Sequence, residues 1–219
     1  MIYNDAHCHP LDLGEFKIAH TVGVEKLLIN STGPHDWEKV LSLHAQDDRL
    51  IPVLGIHPWQ VPSLTTEALQ QLETLLAFHP VAHIGEIGLD KCKSDFYKQI
   101  EFFEAQLMLA QKYHRPVHIH CVRAWGEMMP LLKHHANLTF LFHGFSGDKN
   151  VIKFFQNYLA FFSVQKATKI PLIPPDKLLL ESDAPSGLPS PTNLPFLFLE
   201  LKVNPEQVAQ NFERFCDGR

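Results

Sequence analysis

The stretch Ile2-Tyr-Asn-Asp-Ala-His-Cys-His9 is the part of the sequence from which the fold is inferred. It is typical of a short strand that ends in a His-x-His pair. Alternate side chains of a strand share a face, so His7 and His9 can bind one ion. Similar apolar runs recur along the chain, and each contains or ends in a residue type that ligates metals. They are AHIGEIGLD (82–90), PVHIH (116–120), LTFLFH (138–143) and LLLESD (178–183).

Strand patterns alternate with helical patterns along the whole chain. Helical patterning occupies residues 36–46, 65–78, 94–113, 124–135 and 148–158. This alternation predicts an α/β protein with a parallel sheet, and eight strands are the number that closes a TIM-type (β/α)8 barrel. A doubly wound sheet would show the same alternation. The eight strand candidates begin near Tyr3, Leu27, Ile51, Val81, Val117, Thr139, Leu159 and Leu178.

The late βα units are predicted to be short. The last three intervals between strand starts fall below the roughly 30 residues of an ordinary βαβ unit. We therefore expect a distorted barrel whose final crossovers are stunted helices or loops, above all between Ser163 and Leu178. The length of 219 residues predicts a single domain spanning 1–219.

Composition limits the classes of partner. A net charge of −5 argues against the broad basic face of a protein that binds nucleic acid non-specifically, so a nucleic-acid substrate would be held locally. The N-terminus has neither a basic nor an apolar signal region, and no apolar run reaches 18 residues, so we expect a cytoplasmic protein. No obligatory protein partner is evident. The four cysteines form no CxxC pair and are expected to be free thiols.

Six residues at the ends of these runs predict a metal centre. In a parallel barrel the C-terminal ends of the strands form the active site. Imidazole and carboxylate ligands suit one or two divalent ions such as Zn, Mg or Mn, and such ions activate water for hydrolysis. An aspartate in this position can bind metal and also accept the proton of that water. The predicted ligands are His7, His9, Glu86, His120, His143 and Asp183.

Three further side chains have two interpretations each. His57 ends the third strand in phase with the site, so it either faces the substrate or packs beside the ligands. Arg123 follows the His120 strand and either meets an anionic group such as phosphate or forms a salt bridge on its loop. His118 shares a face with His120, and a packed, hydrogen-bonded histidine is favoured there over a ligand.

The ordered motifs resemble those of TatD-like metal-dependent deoxyribonucleases of the amidohydrolase superfamily. The motifs are DAHCHP (5–10), GIHPW (55–59), GEIGLD (85–90), PVHIHCVRAW (116–125), FHGFSG (142–147) and LLLESDAP (178–185). The resemblance implies a distorted TIM barrel that hydrolyses phosphodiester bonds of DNA. It also implies that His7, His9 and Asp183 bind one ion, that His120 and His143 bind a second, and that Glu86 bridges them. Asp183 would then assist proton transfer, while His57 and Arg123 hold phosphate oxygens.

The chain also departs from the family pattern. It is shorter between His143 and Asp183, and Lys91-Cys92-Lys93 replaces an aromatic and basic stretch after GLD. The favoured function is a divalent-metal-dependent deoxyribonuclease acting on DNA or a small phosphodiester. The alternatives are a small-molecule amidohydrolase, acting on an amide, lactone or cyclic ester, and a non-catalytic vestigial barrel.

Overall fold

The fold is a ring of eight parallel strands with helices between them. The computed structural model describes residues 1–218, and the strands are hydrogen-bonded in chain order. The strands are β1 (Tyr3–Cys8), β2 (Val24–Asn30), β3 (Leu50–Leu54), β4 (His83–Asp90), β5 (Val117–Val122), β6 (Phe140–Phe142), β7 (Ala160–Val164) and β8 (Leu178–Leu180). The helices are α1 (Leu13–Thr21), α2 (Trp37–Gln46), α3 (Glu67–Phe78), α4 (Phe96–Tyr113), α5 (Trp125–Lys133), α6 (Lys149–Phe154), α7 (Leu194–Leu201) and α8 (Pro205–Cys216).

The barrel closes at a seam between β1 and the residues that follow β8. The backbone N–H of Asp183 donates to the carbonyl of His7 at 2.8 Å, and that of His9 donates to the carbonyl of Ala184 at 2.9 Å. The buried Asp5 adds a third link, because a backbone N–H just after β8 donates to its Oδ1 at 2.9 Å. The seam therefore joins the first and last strands at their C-terminal ends, and the TIM-type barrel prediction is confirmed.

The predicted shortening of the late βα units is also confirmed. Strands β6 and β8 contain three residues each. Residues 165–177, all of which the structure describes, form only two 3₁₀ turns, Ala167–Leu172 and Pro175–Lys177. Three prolines within this segment remove backbone donors that an α-helix would need. The crossover from β7 to β8 is thus a compact turn segment.

Helix α8 covers the N-terminal end of the barrel. Its Phe215 is fully buried, with ring centroids 5.5 Å from His83 and 5.1 Å from His118. These two histidines share a hydrogen bond of 3.1 Å between Nδ1 of His83 and Nε2 of His118, as favoured for His118. Asn211 of α8 donates to the carbonyl of Leu178 at 2.8 Å. Among the described residues no helix is long and apolar enough to cross a membrane.

Candidate metal centre

The six predicted ligands converge at the C-terminal end of the barrel. Groups of at least three side chains there have ligand atoms within 4.8 Å of one another. The groups overlap, which means that the side chains form one continuous cluster. The groups are His7 with His143 and Asp183, His7 with His9 and Glu86, and His57 with Glu86 and His120.

Glu86 lies at the centre of this cluster, and its two carboxylate oxygens face different histidines. Oε2 lies 3.4 Å from Nε2 of His7 and 3.8 Å from Nε2 of His9. Oε1 lies 2.6 Å from Nε2 of His143 and 2.8 Å from Nδ1 of His120. A carboxylate that contacts two imidazole groups through separate oxygens has the arrangement of a bridging ligand.

Asp183, which follows β8 across the seam, lies beside His7 and His9. Asp183 Oδ1 lies 3.4 Å from Nε2 of His9 and 3.8 Å from Nε2 of His7. Nδ1 of His9 donates to the carbonyl of Asn30 at 3.0 Å, which turns Nε2 toward the carboxylates, where it would ligate a metal once it loses its proton. Nε2 of His7 is buried without a hydrogen-bond partner among the described residues. A buried nitrogen next to two carboxylates fits a bound cation.

On the other side of Glu86, His57 lies with the predicted ligands His120 and His143. Nδ1 of His120 and Nε2 of His143 lie 3.2 Å apart. Nε2 of His57 lies 3.3 Å from Glu86 Oε1, and the His57 side chain is buried. The structure therefore places His57 against the central carboxylate, at the inner wall of the site.

The surroundings of the cluster shift the pKa values of its side chains in different directions. Burial alone would raise the pKa of Glu86, but the surrounding imidazoles, His143 and His57 foremost, hold it well below its usual range. Burial lowers the pKa of His7 and of His57, which keeps both rings neutral. Burial also opposes protonation of His143, yet nearby carboxylates raise its pKa well above the ordinary value. The ionised Glu86 beside the neutral rings of His7 and His57 can bind a divalent ion directly, whereas metal binding at His143 would first displace a proton from its ring.

Glu181 supports the site from behind His143, and the sequence did not reveal this role. It is fully buried, and its Oε1 accepts from the backbone N–H of Gly144 at 2.8 Å. The same oxygen lies 3.8 Å from Nδ1 of His143, and Oε2 accepts a short hydrogen bond from the Ser163 hydroxyl. The only signal in the sequence was an acid at the end of the apolar run LLLES.

Asp90, at the end of β4, is a second supporting carboxylate that the sequence did not reveal. It is buried, and its Oδ2 accepts a hydrogen bond from the indole N–H of Trp59 at 2.7 Å. Oδ2 also lies 3.8 Å from Nε2 of His120. Asp90 thus links the ligand cluster to an aromatic side chain on the neighbouring loop.

The ligand cluster forms the floor of an open cleft of about 270 Å³. No lysine or arginine is among the lining residues. Arg123 is exposed in the left-handed region at φ 54° and is not part of this wall. The lining residues are His9, Thr32, His57, Trp59, Gln60, Glu86, His120, His143, Asp183, Pro185 and Ser186.

Known proteins share both the sequence pattern and the fold. A model of the TatD related DNase family matches residues 4–217. An uncharacterized metal-dependent hydrolase of Escherichia coli K12, YjjV, is 31% identical over 98% of this chain and 89% of its own length. A 3′-5′ ssDNA/RNA exonuclease TatD of Enterobacter lignolyticus is 28% identical over 78% of this chain and 72% of its own. The crystal structure of YjjV, a TatD homologue, matches with a TM-score of 0.87 at 25% identity, covering 99% of this chain and 96% of that one.

Proposed function

The chain belongs to the TatD-related DNase family of metal-dependent hydrolases, and from that premise we propose that it is a deoxyribonuclease that hydrolyses phosphodiester bonds. The observation that carries the proposal is the position of Glu86, between two imidazole groups at the floor of an open cleft. We further propose that residues 1–219 act as one barrel domain and that the protein is cytoplasmic, as the sequence predicts.

The proposed ligand roles are those that the family resemblance implies. We assign His7, His9 and Asp183 to one divalent ion, His120 and His143 to a second, and Glu86 to both. When bound, such ions polarise a phosphate oxygen and lower the pKa of water. The donor set of imidazole nitrogen and carboxylate oxygen accepts Zn, Mn or Mg.

Asp183 is the proposed proton acceptor. Its side chain is 22% exposed, so it can meet a water molecule in the cleft, whereas Glu86 is only 3% exposed. Burial opposes ionisation of Asp183, but its hydrogen bond with His9 and the nearby imidazoles lower its pKa below the ordinary value. The carboxylate is therefore ionised near neutral pH and can take a proton from the attacking water.

Two side chains are proposed to contact substrate phosphate. His57 lies on the cleft wall, and its Nδ1 accepts from the backbone N–H of Trp59, so its ring proton is on Nε2, 3.3 Å from Glu86 Oε1. This N–H would donate to a phosphate oxygen when Glu86 is engaged by metal ions. Arg123 is exposed just beyond β5 and outside the cleft. It suits a phosphate farther along the strand, because guanidinium matches phosphate geometry.

Metal reconstitution tests the proposal directly. Protein stripped with a chelator and reloaded with Mg, Mn, Zn or Co should cleave single-stranded DNA oligonucleotides. Asp183→Asn should retain most of the bound metal but lower kcat by about 10²- to 10⁴-fold, the contribution of a general base. The matched control is Asp48→Asn, an exposed carboxylate just before β3, at the opposite end of the barrel from the cleft. A well-loaded enzyme that cleaves no phosphodiester with any metal would remove the nuclease assignment.

A small-molecule amidohydrolase is the second candidate, and one observation favours it. The cleft wall contains no lysine or arginine, and the net charge is −5, so an anionic polymer gains little long-range attraction. Turnover of amides, lactones or cyclic esters without phosphodiester cleavage would select this function. A metal content near zero after mild purification would instead indicate a vestigial barrel.

A further inference from the structure

Trp59 exposes a large aromatic surface at the mouth of the metal cleft. Its side chain is 54% exposed, and it lines the same cleft as Glu86 and His57. Of the other tryptophans, Trp37 is buried and Trp125 packs against the core. A wide apolar face beside a hydrolytic centre offers a surface for a flat substrate group.

The indole of Trp59 is held in a fixed orientation. Its Nε1–H donates to Oδ2 of the buried Asp90 at 2.7 Å, and its backbone N–H donates to Nδ1 of His57 at 3.1 Å. Asp90 is itself fixed, because its backbone N–H donates to Oε1 of the buried Gln99 at 2.8 Å and its carbonyl accepts from Nε2 of that residue at 3.1 Å. A ring held in this way loses little side-chain entropy when a ligand stacks on it.

The ring lies next to the ligand cluster. Its centroid is 5.1 Å from that of His57 and 6.3 Å from that of His120. A group stacked on Trp59 is therefore an immediate neighbour of a phosphate bound above the cluster. The interplanar angles of 87° and 79° show that these imidazoles contact the indole edge-on and do not stack on it.

The ammonium group of Lys93 lies over the indole ring of Trp59. Nζ of Lys93 lies 4.1 Å from the centroid of the Trp59 ring system. Lys91, two residues earlier, is paired with Glu127 at 2.6 Å, whereas Lys93 extends over the indole. The cleft wall lacks a cation, so Lys93 supplies one beside the aromatic surface.

We propose that Trp59 stacks with the unpaired nucleobase next to the scissile bond and that Lys93 contacts the adjoining phosphate. This inference rests on the proposed nuclease function and names the part of the substrate that the site recognises. Base stacking on aromatic side chains tolerates any base but requires an exposed base face, which a duplex hides. The enzyme should therefore prefer single strands without strong sequence preference.

The experiment compares a dT oligonucleotide with an abasic tetrahydrofuran oligomer of the same length, using metal-loaded protein. Trp59→Ala should raise KM for the dT oligomer roughly 5- to 150-fold, the loss expected for one stacked base. The same substitution should change KM for the abasic oligomer by less than about twofold, since that oligomer has no base to stack. Trp59→Phe keeps a ring and should recover most of the lost affinity. Phe78→Ala, which removes an exposed aromatic at the end of α3, is the matched control.

Two further measurements test each residue separately. Titration with the dT oligomer should quench tryptophan fluorescence in the parent protein but not in Trp59→Phe. Lys93→Gln should lower the slope of log affinity against log salt by about 0.7, the value for one single-strand phosphate contact. Lys133→Gln, an exposed lysine on α5, should leave that slope unchanged.

The outcomes separate this inference from the function beneath it. If the dT oligomer is cleaved but Trp59→Ala raises KM equally for both oligomers, or for neither, stacking is wrong and the nuclease function stands. If no phosphodiester is cleaved with any metal, both the nuclease function and the stacking inference are wrong. A base-dependent effect of Trp59→Ala that Trp59→Phe restores supports the inference.

Discussion

The buried His83 should make the fold sensitive to acid, and the size of the effect follows from its surroundings. Burial, with a smaller contribution from the Arg115 charge, lowers the pKa of His83 from 6.5 to about 3. The folded protein therefore holds a neutral ring where the unfolded chain is readily protonated. A lowered folded-state pKa means that stability is fully present above pH 6.5 and is lost as the pH falls toward 3.

The magnitude can be worked out for a modest pH change. At pH 5 the unfolded histidine is mostly protonated while His83 in the fold is not. The resulting loss of unfolding free energy between pH 7 and pH 5 is about 2 kcal/mol, at about 1.4 kcal/mol for each unit of pH below the unfolded pKa. This is a sizeable fraction of the roughly 5–15 kcal/mol of an ordinary domain.

Urea unfolding of His83→Gln against the parent chain measures this effect. The amide retains a hydrogen bond toward His118 but does not titrate. A chelator keeps the protein metal-free, so that protonation of metal ligands does not add metal loss to the comparison. The stability advantage of the parent over the variant should shrink by about 2 kcal/mol from pH 7 to pH 5. His134→Gln, at an exposed position, is the control. An advantage that stays the same at both pH values would refute the reasoning.

Three other substitutions test the architecture around the site. Glu181→Gln should weaken metal affinity about 10- to 100-fold, measured by chelator competition, because it removes the buried carboxyl group behind the proposed ligand His143. Glu200→Gln, at an exposed position, is the control, and equal metal affinity in the two variants would exclude a supporting role for Glu181. Gly88→Ala should lower the thermal midpoint steeply, because φ is 150° at this position and an added Cβ would clash with a β5 carbonyl oxygen. Gly126→Ala has open space around it and should be neutral or stabilising. Similar midpoints for the two variants would contradict the close packing of Gly88 against β5. Asn211→Ala should cost about 1–3 kcal/mol in urea unfolding, because it leaves the carbonyls of Leu178 in β8 and of Pro175 in the preceding turn without their amide donor. An unchanged midpoint would show that α8 does not hold that strand.

The sequence predicts the barrel well because its signals are local. Apolar β-prone runs and the helical patterns between them locate every strand to within three residues, the largest shift being Val24 for the predicted Leu27. Helices α1, α7 and α8 were not predicted. Helix α7, with the sequence LPFLFLEL, has apolar residues around most of its circumference, so its sequence lacks the apolar stripe that marks an amphipathic helix. Residues 184–193 lie between β8 and α7, and Pro185 and Ser186 of this segment line the cleft.

The site was predicted as far as residue type and strand phase can reach. Phase places the side chains of His7 and Glu86 at one end of a barrel, and the structure brings them together. Phase does not give distances between neighbouring strands, so the contact of His57 with Glu86 could not be foreseen. Contacts that support the site join residues far apart in sequence, as in the hydrogen bond between Trp59 and Asp90, which are 31 residues apart, so a local pattern does not reveal them. Arg123 was placed by loop position alone, and it lies outside the cleft wall.

The seam of the barrel has a consequence for how the protein is made. His7 lies in the first strand of the barrel to be synthesised, whereas Asp183, which faces it across the seam, is added only after all eight strands. A ribosome-bound or prematurely terminated chain that ends before Asp183 therefore lacks both a proposed ligand and the backbone hydrogen bonds that close the barrel. If Asp183 has its proposed role, truncated chains should not hydrolyse substrate even when most of the barrel has been synthesised.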